Sequence, residues 1–423
     1  QIEAVLAAAE RGFAIWSRTS PAERRRAILR YADLLESHRE RLIELLIAET
    51  GKPRDNAEYD FGMLPTCLRY FVEEFDRLDQ PVIQDPDGQF LHYVQRQPLG
   101  VAVGMLAWNF PLLNVGYKLG PALAAGCSVI LKPSHETPLA SLEALALAGE
   151  AGIPPGVVNA ITGTDHEVLR PLLESRIPAL VTMIGSTRGG IQVMKTAATS
   201  VKRFSLELGG NAPVLVYPDA DIEDAARKIV NLKFANCGQV CVSPNRCFVH
   251  ASIYEAFVEA ARAAAADVVV GPLVSAKARA SVLALVESAV ADGAAIVCGG
   301  RAVPGKGFFM EPTLLRDVST DMRVAREEIF GPVLPILSFS DSDDEIALAN
   351  DTDAGLAAYV FTKDLSRALR AGRDIQAGSV CINEPHYAVH LPHGGLKQSG
   401  MGKDCSRYSL EEYLTLKRVS IRL

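Results

Sequence analysis

The segment FANCGQVCVSPNRC, residues 234–247, holds Cys237, Cys241 and Cys247 around a glycine–glutamine turn, with no CxxC pair among them. A free thiol titrates near about 8.5, so a few per cent is thiolate at neutral pH and is intrinsically nucleophilic. The segment therefore offers either one reactive sulfur or three small apolar fillers. A reactive thiol needs a base or positive dipoles to activate it. Glu207 lies near the end of the apolar run FSLEL, ahead of Gly209-Gly210, which would let other groups close in. It is a candidate base, and a surface acid at a strand end is the plain alternative. Asn109 follows the run VAVGMLAW and offers an amide N–H, or it simply caps the next helix. Lys132-Pro133-Ser134 puts a cation and a hydroxyl after SVIL, where a nucleotide ribose could lie or solvent could reach. Gly185-Ser186-Thr187 opens a helix whose free N–H groups suit a phosphate, although the pattern is not GxGxxG.

These residues need a frame that holds strand ends together. From residue 100 short apolar runs alternate with helical stretches: VAVGMLAW (101–108), SVILK (128–132), VVNAIT (157–162), ALVTMIG (179–185) and FSLEL (204–208). This rhythm predicts a mostly parallel, doubly wound sheet, with ligands beyond the carboxyl ends of its strands. A second alternation follows Gly209-Gly210, with APVLVY (212–217), a helix over 221–236, CFVH (247–250), ILSF (336–339), AAYVFT (357–362) and SVCIN (379–383). Upstream, Ser20-Pro21-Ala22-Glu23 is a capping box with proline at the first helical position, leading an amphipathic stripe. The segments 90–97 and 410–423 alternate like exposed strands, a type often used for subunit pairing.

Composition sets limits. With 423 residues the chain exceeds one ordinary core, so two large lobes are expected. A net charge of −7 leaves no basic footprint for nucleic acid. No apolar run nears the roughly 20 residues that span a bilayer, and the first residues lack the features of a secretory signal. Eight scattered cysteines do not form a disulfide framework, so a reduced, cytoplasmic protein is expected.

Eight ordered motifs carry a resemblance over nearly the whole chain: AWNFPLLN (107–114), LGPALAAGCSVILKPS (119–134), IGSTRGG (184–190), LELGGNAP (206–213), GQVC (238–241), EEIFGPV (327–333), AAYVFTKD (357–364) and PHGGLKQSGMGKD (392–404). The chain resembles the aldehyde dehydrogenase superfamily, and most closely its aminoaldehyde, betaine-aldehyde and lactaldehyde branches. The resemblance implies an α/β fold with a Rossmann-like cofactor domain (1–75 and 99–210), a catalytic domain (211–408) and oligomerisation strands (76–98 and 409–423). It also implies a homodimer or homotetramer. The activity implied is oxidation of an aldehyde to the carboxylate with NAD or NADP.

Within that resemblance Cys241 is the nucleophile, Glu207 the base and Asn109 the oxyanion donor, while Cys237 and Cys247 become packing residues. Trp108, Lys132, Ser134, His135, Gly185, Ser186, Gly190, Glu207, Leu208, Gly209, Glu328 and Phe330 are the implied cofactor contacts. Met63, Phe110, Asn114, Tyr117, Val242, Tyr387 and His393 are the implied aldehyde contacts. Many NAD-using members read KPSE where this chain reads KPSH. His135 thus replaces an acid that would repel a 2′-phosphate, so NAD is expected and NADP stays open. Asn114, Tyr117 and His393 make the tunnel polar and point to a short hydroxy-, amino- or semialdehyde. His386, His390 and His393 form HxxxHxxH, but Pro385 and Pro392 bracket the segment, so no metal is expected. A CoA-acylating relative would commonly lack the glutamate, and a non-catalytic relative would have lost Cys241, Glu207 or Asn109.

Overall fold

The computed structural model describes residues 1–423, the side chains of 165 and 166 excepted. Ser20 caps the Pro21–Ser37 helix as its sequence predicts, with Ser20 Oγ accepting from Glu23 N and the Glu23 carboxylate accepting from Ser20 N. This helix and the Arg54–Asp76 helix pack on the Pro111–Ala125 helix. Their buried Ile28, Tyr31, Phe61, Leu64 and Phe71 meet Leu112, Val115 and Leu119 in one core. Each such side chain contributes about 1.5–3 kcal/mol by leaving water.

The first sheet runs β17 (Gly400–Met401), β7 (Arg203–Glu207), β6 (Pro178–Ile184), β3 (Val101–Met105), β4 (Ser128–Lys132) and β5 (Val158–Ala160). All its pairs are parallel except β17 with β7. The chain winds outward from β3 through β4 to β5, then returns to lay β6 on the other side of β3. The strand order therefore reverses between β3 and β6, and a crevice opens beyond their carboxyl ends.

The second sheet runs β10 (Ala295–Cys298), β11 (Thr313–Arg316), β12 (Val333–Phe339), β9 (Pro244–His250), β8 (Ala212–Val216), β14 (Ala357–Phe361) and β15 (Ser379–Ile382), antiparallel only at β10. Its core combines Val214, Val216, Phe257, Leu334 and Tyr359. A two-stranded pair, β13 (Ala354–Gly355) with β16 (Leu396–Lys397), leads the chain back to the first sheet at β17. A third sheet, β1 (Val82–Ile83), β2 (Phe90–Pro98) and β18 (Leu414–Arg422), stands apart and joins the two expected edge segments in one antiparallel ladder. Among the described residues no helix is long and apolar enough to cross a membrane.

Candidate active site

Two cavities meet at the reversal of strand order. One, of about 240 Å³, is lined by Trp108 and Asn109 after β3, Gly185 and Ser186 after β6, and Leu208 and Gly209 after β7, with Glu207, Cys241, Glu328 and Phe330. The other, of about 400 Å³, is lined by Phe110, Asn114, Tyr117, Val242, Tyr387 and His393 among others. Both are walled by Asn109, Ile184, Glu207 and Cys241. Three of those four, Asn109, Glu207 and Cys241, are the residues to which the resemblance gives the chemistry.

The smaller cavity is a mostly apolar slot with two acids, Glu207 and Glu328, in its wall. Trp108 and Phe330 meet edge to face at 5.4 Å between centroids. Glu328 Oε1 accepts from Gly210 N at 2.8 Å. A Cβ on Gly209 would stand 2.8 Å from Glu328 Oε2, and one on Gly210 would stand 2.1 Å from the Cys241 carbonyl oxygen. The glycine pair is therefore the gap through which the acid and the cysteine loop reach the first sheet. Ser186 caps the Thr187–Ala197 helix through Gly189 N, so the helix start faces the same crevice. An aromatic slot, a rim carboxylate and a helix N-terminus in sequence fit a flat ring, a ribose and a pyrophosphate. Gly190 sits inside that helix against Leu208 rather than on the cavity wall. Lys132, Ser134 and His135 stand at the end of β4, next to β3, and do not line the slot. Lys132 is buried there, while His135 points outward, its side chain 70% exposed and its Nε2 3.5 Å from Glu136.

The cysteine segment is fixed from all sides. Asn236, Cys237 and Gly238 take positive φ in succession, 47°, 59° and 70°. Only glycine fits at the third position, because a Cβ there would come 2.1 Å from the Gly331 carbonyl oxygen. Gln239 holds the turn by donating to Asn236 O and Pro272 O and accepting from Val274 N. Cys241 remains partly exposed to the cavities, whereas Cys237 and Cys247 are buried in the cores. Burial, then the carboxyl groups of Glu328 and Glu207, pushes the Cys241 thiol up to about 12. Burial alone of the neighbouring thiol takes Cys237 to about 12 despite the opposing Lys233 charge. Access to the cavity, not acidity, singles out Cys241.

Asn109 donates from Nδ2 to Gln239 O at 3.0 Å, which leaves its second N–H, and its buried Oδ1 has no partner. Its backbone carbonyl accepts from Lys52 Nζ at 2.9 Å and Asn236 Nδ2 at 3.0 Å. Lys52 is paired with Asp60, whose other oxygen accepts from Leu112 and Leu113 N at the start of the following helix. Sequence reasoning missed this buried Lys52–Asp60 pair. Glu207 has neither carboxylate oxygen hydrogen-bonded, and burial, followed by the negative charge of Asp404, raises its pKa well above the carboxylate range. Burial likewise lifts Glu328 to about 7, against the Gly210 N–H and Lys233.

On the aldehyde side, six of the seven expected residues line the larger cavity. Met63 does not: it packs against the helical core, one turn beyond Tyr59, which does line the cavity with Asp55 and Asn56. A turn of helix is about 5.4 Å, enough to carry a side chain from the pocket into the core. Tyr387 Oη shares a 2.6 Å hydrogen bond with Tyr359 Oη, which donates to Val242 O. Asn114 donates to Ala107 O at 3.0 Å. In that wall Asp404 accepts from Lys118 Nζ through both oxygens at 2.7 Å, a buried pair that no local signal announces. Residues 383–395 around His386, His390 and His393 are irregular, so helical spacing does not align the three imidazoles. Among the described residues no three His, Cys, Asp or Glu side chains gather as metal ligands.

The family described as Aldehyde dehydrogenase family matches residues 1–419. A mitochondrial succinate-semialdehyde dehydrogenase of Arabidopsis thaliana is 40% identical over 98% of this chain and 81% of its own. The NADP(+) succinate-semialdehyde dehydrogenase GabD of Escherichia coli (strain K12) is 37% identical over 100% and 90%. The solved structure of the P. syringae indole-3-acetaldehyde dehydrogenase AldA, a C302A mutant in complex with NAD+ and IAA, superposes with a TM-score of 0.97 at 36% identity, covering 100% of this chain and 89% of that one.

Proposed function

The chain belongs to the aldehyde dehydrogenase family, and from that premise we propose that Cys241, Glu207 and Asn109 carry the NAD(P)-dependent oxidation of a short polar aldehyde to its carboxylate. The observation that carries this reading is that two separate cavities share these three side chains. One cavity suits the cofactor's ring and ribose, and the other the aldehyde. Trp108, Gly185, Ser186, Leu208, Gly209, Glu328 and Phe330 would hold the nicotinamide half. Lys132, Ser134 and His135, at the end of β4, would serve the adenosine ribose, and Gly190 would keep the phosphate-binding helix close to Leu208.

Cys241 sulfur bonds to the aldehyde carbon, and its proton leaves toward Glu207. The free N–H of Asn109 and the backbone N–H of Cys241 hold the resulting oxyanion, one such donor being worth roughly 10²–10³ in rate. When bound, the nicotinamide supplies the hydride acceptor by which the thiohemiacetal becomes a thioester. Glu207 then takes a proton from water, whose oxygen attacks the acyl carbon and displaces the sulfur. Glu207 supports hydrolysis over transfer to CoA, and acyl-CoA formation on addition of CoA would reverse that.

Among the described residues the aldehyde-side lining includes Asp55, Glu207 and Asp404 and no lysine or arginine. That supports a hydroxyl- or amino-bearing aldehyde, while the succinate-semialdehyde dehydrogenases among the relatives support a semialdehyde. A panel of lactaldehyde, an aminoaldehyde, succinic semialdehyde, hexanal and benzaldehyde tests this. The highest kcat/KM is expected for one of the first three, and hexanal or benzaldehyde leading would overturn it. NAD is the proposed main cofactor, with NADP accepted because His135 carries no negative charge; a strong NADP preference would overturn the first part. The separate sheet of β1, β2 and β18, with Phe90, Leu91, Leu416 and Ile421 exposed, supports a homodimer or homotetramer. Eight unpaired cysteines support a reducing, cytoplasmic setting.

A further inference from the structure

Glu207 needs a route for its proton, and the structure offers a neighbour that the reaction as drawn leaves idle. Both Glu207 oxygens are buried without a hydrogen-bond partner. His393 Nε2 lies 3.9 Å from Glu207 Oε2, with side-chain exposures of 15% and 4% respectively. Both side chains line the aldehyde cavity, and the histidine is the more exposed of the two. Its backbone is locked, His393 N donating to Asp404 O at 2.8 Å and His393 O accepting from Asp404 N at 2.7 Å. Its ring is held between Tyr117 and Tyr387, at 6.2 and 6.0 Å between centroids. The next residue is Gly394, where a Cβ would stand 2.6 Å from Glu207 Oε1. The carboxyl group is thus seated on the His393-Gly394 backbone, with room to close the remaining gap to the imidazole directly or through one water.

We propose that His393 is the positioning and proton-accepting partner of Glu207, passing to solvent the protons that Glu207 collects from Cys241 and from the hydrolytic water. This rests on the reading of Glu207 as the base. In the hydrolytic step, water oxygen bonds to the acyl carbon and one water proton moves to Glu207. The C–S bond breaks with its electron pair on Cys241, which is reprotonated by the new carboxylic acid. One proton is left on Glu207, and it moves to His393 Nε2 and on to solvent. The charged and titratable groups facing His393 are Glu207 at the end of β7, Tyr117 and Lys118 from the Pro111–Ala125 helix, Tyr387, and Lys403 and Asp404. Burial, then opposing contributions from Asp404, Lys118 and Lys403, lowers the His393 pKa, so the ring rests neutral and holds a proton only in passing. Burial and Asp404 act on Glu207 in the opposite direction and hold its proton on, so a relay through the weaker base His393 depends on the short path to solvent and not on a driving force.

The test uses p-nitrophenyl acetate without cofactor, because an activated ester acylates a thiol directly and the slow phase after the p-nitrophenol burst reports acyl-enzyme hydrolysis. In His393→Phe and His393→Gln the burst amplitude should persist while the slow phase falls about 10²-fold at pH 7, as loss of a proton acceptor implies. The loss should shrink as pH rises, and added imidazole should restore part of the rate in His393→Ala. Glutamine keeps a polar side chain there but takes no proton, so it separates relay from packing. A slow phase with the wild-type pH profile in both variants, whether uniformly slower or unchanged, overturns the proposal, as does a change confined to KM. Glu207→Gln runs alongside. If it leaves the slow phase intact, the base assignment itself fails, which is a different result from His393 variants behaving as wild type beside an inactive Glu207→Gln.

Discussion

The smaller cavity takes most of its wall from residues that follow strands: Trp108 and Asn109 after β3, Gly185 and Ser186 after β6, Leu208 and Gly209 after β7. The larger one draws on helix faces and irregular chain: Asp55, Asn56 and Tyr59, then Phe110, Asn114 and Tyr117, then Tyr387 and His393. A strand end is placed by its ladder, so its backbone cannot move without breaking hydrogen bonds on both sides. A helix face can exchange side chains while the backbone stays put. The cofactor side is therefore the rigid half of the site and the aldehyde side the adjustable half. Cys241 belongs to neither construction, since its segment comes before β9 rather than after a strand.

Substitutions can break this contrast or sharpen it. Cys241→Ser removes what both halves serve, and kcat should fall on the order of 10⁴-fold or more for every aldehyde and either cofactor. Residual activity within tenfold of wild type in a progress-curve assay would mean that another residue is the nucleophile. The thiol itself gives the next largest signal. With its pKa pushed to about 12 in the free protein, the thiolate fraction, and with it the iodoacetamide rate, should climb about tenfold per pH unit from 6 to 9. A plateau below pH 8 in the mass-spectrometric time course would show an activating group within the resting site.

Glu328→Gln tests the rigid half. It keeps the bond from Gly210 N but loses the charge, so KM for the cofactor should rise about tenfold, the scale of one hydrogen bond to a charged group, with KM for the aldehyde unchanged. Tyr387→Phe tests the adjustable half. Loss of the 2.6 Å bond to Tyr359 should shift KM for the aldehyde by about 2–10-fold and leave the cofactor KM where it was. Equal movement of both constants in either variant would erase the distinction between the halves.

The same contrast explains what could be read from the sequence. The runs SVILK, APVLVY and AAYVFT became β4, β8 and β14 almost residue for residue, because short apolar runs between helices leave few other options. The residues after β3, β6 and β7 followed from that. Met63 was misplaced because spacing along a buried helix tells which side faces inward but not where the pocket stops. Asp55, Asn56 and Tyr59 lie off the buried face of their helix, so the apolar pattern gave no sign of them. The Lys118–Asp404 pair joins residues 286 apart, a distance over which no single-sequence pattern operates. The antiparallel β10 was missed too, its AIVC being short and half exposed.

The small third sheet bears on how the protein would behave when shortened. β18 is its outer strand, nine residues with one row of backbone N–H and C=O groups facing away from β2. Lys417, Arg418 and Arg422 are spaced along it like pickets that discourage stray strands from docking. Clipping off the last ten residues would not leave a tidier particle. It would bare β2, equally long and carrying Phe90, Leu91 and Tyr93, so the trimmed chain should clump more readily than the intact one.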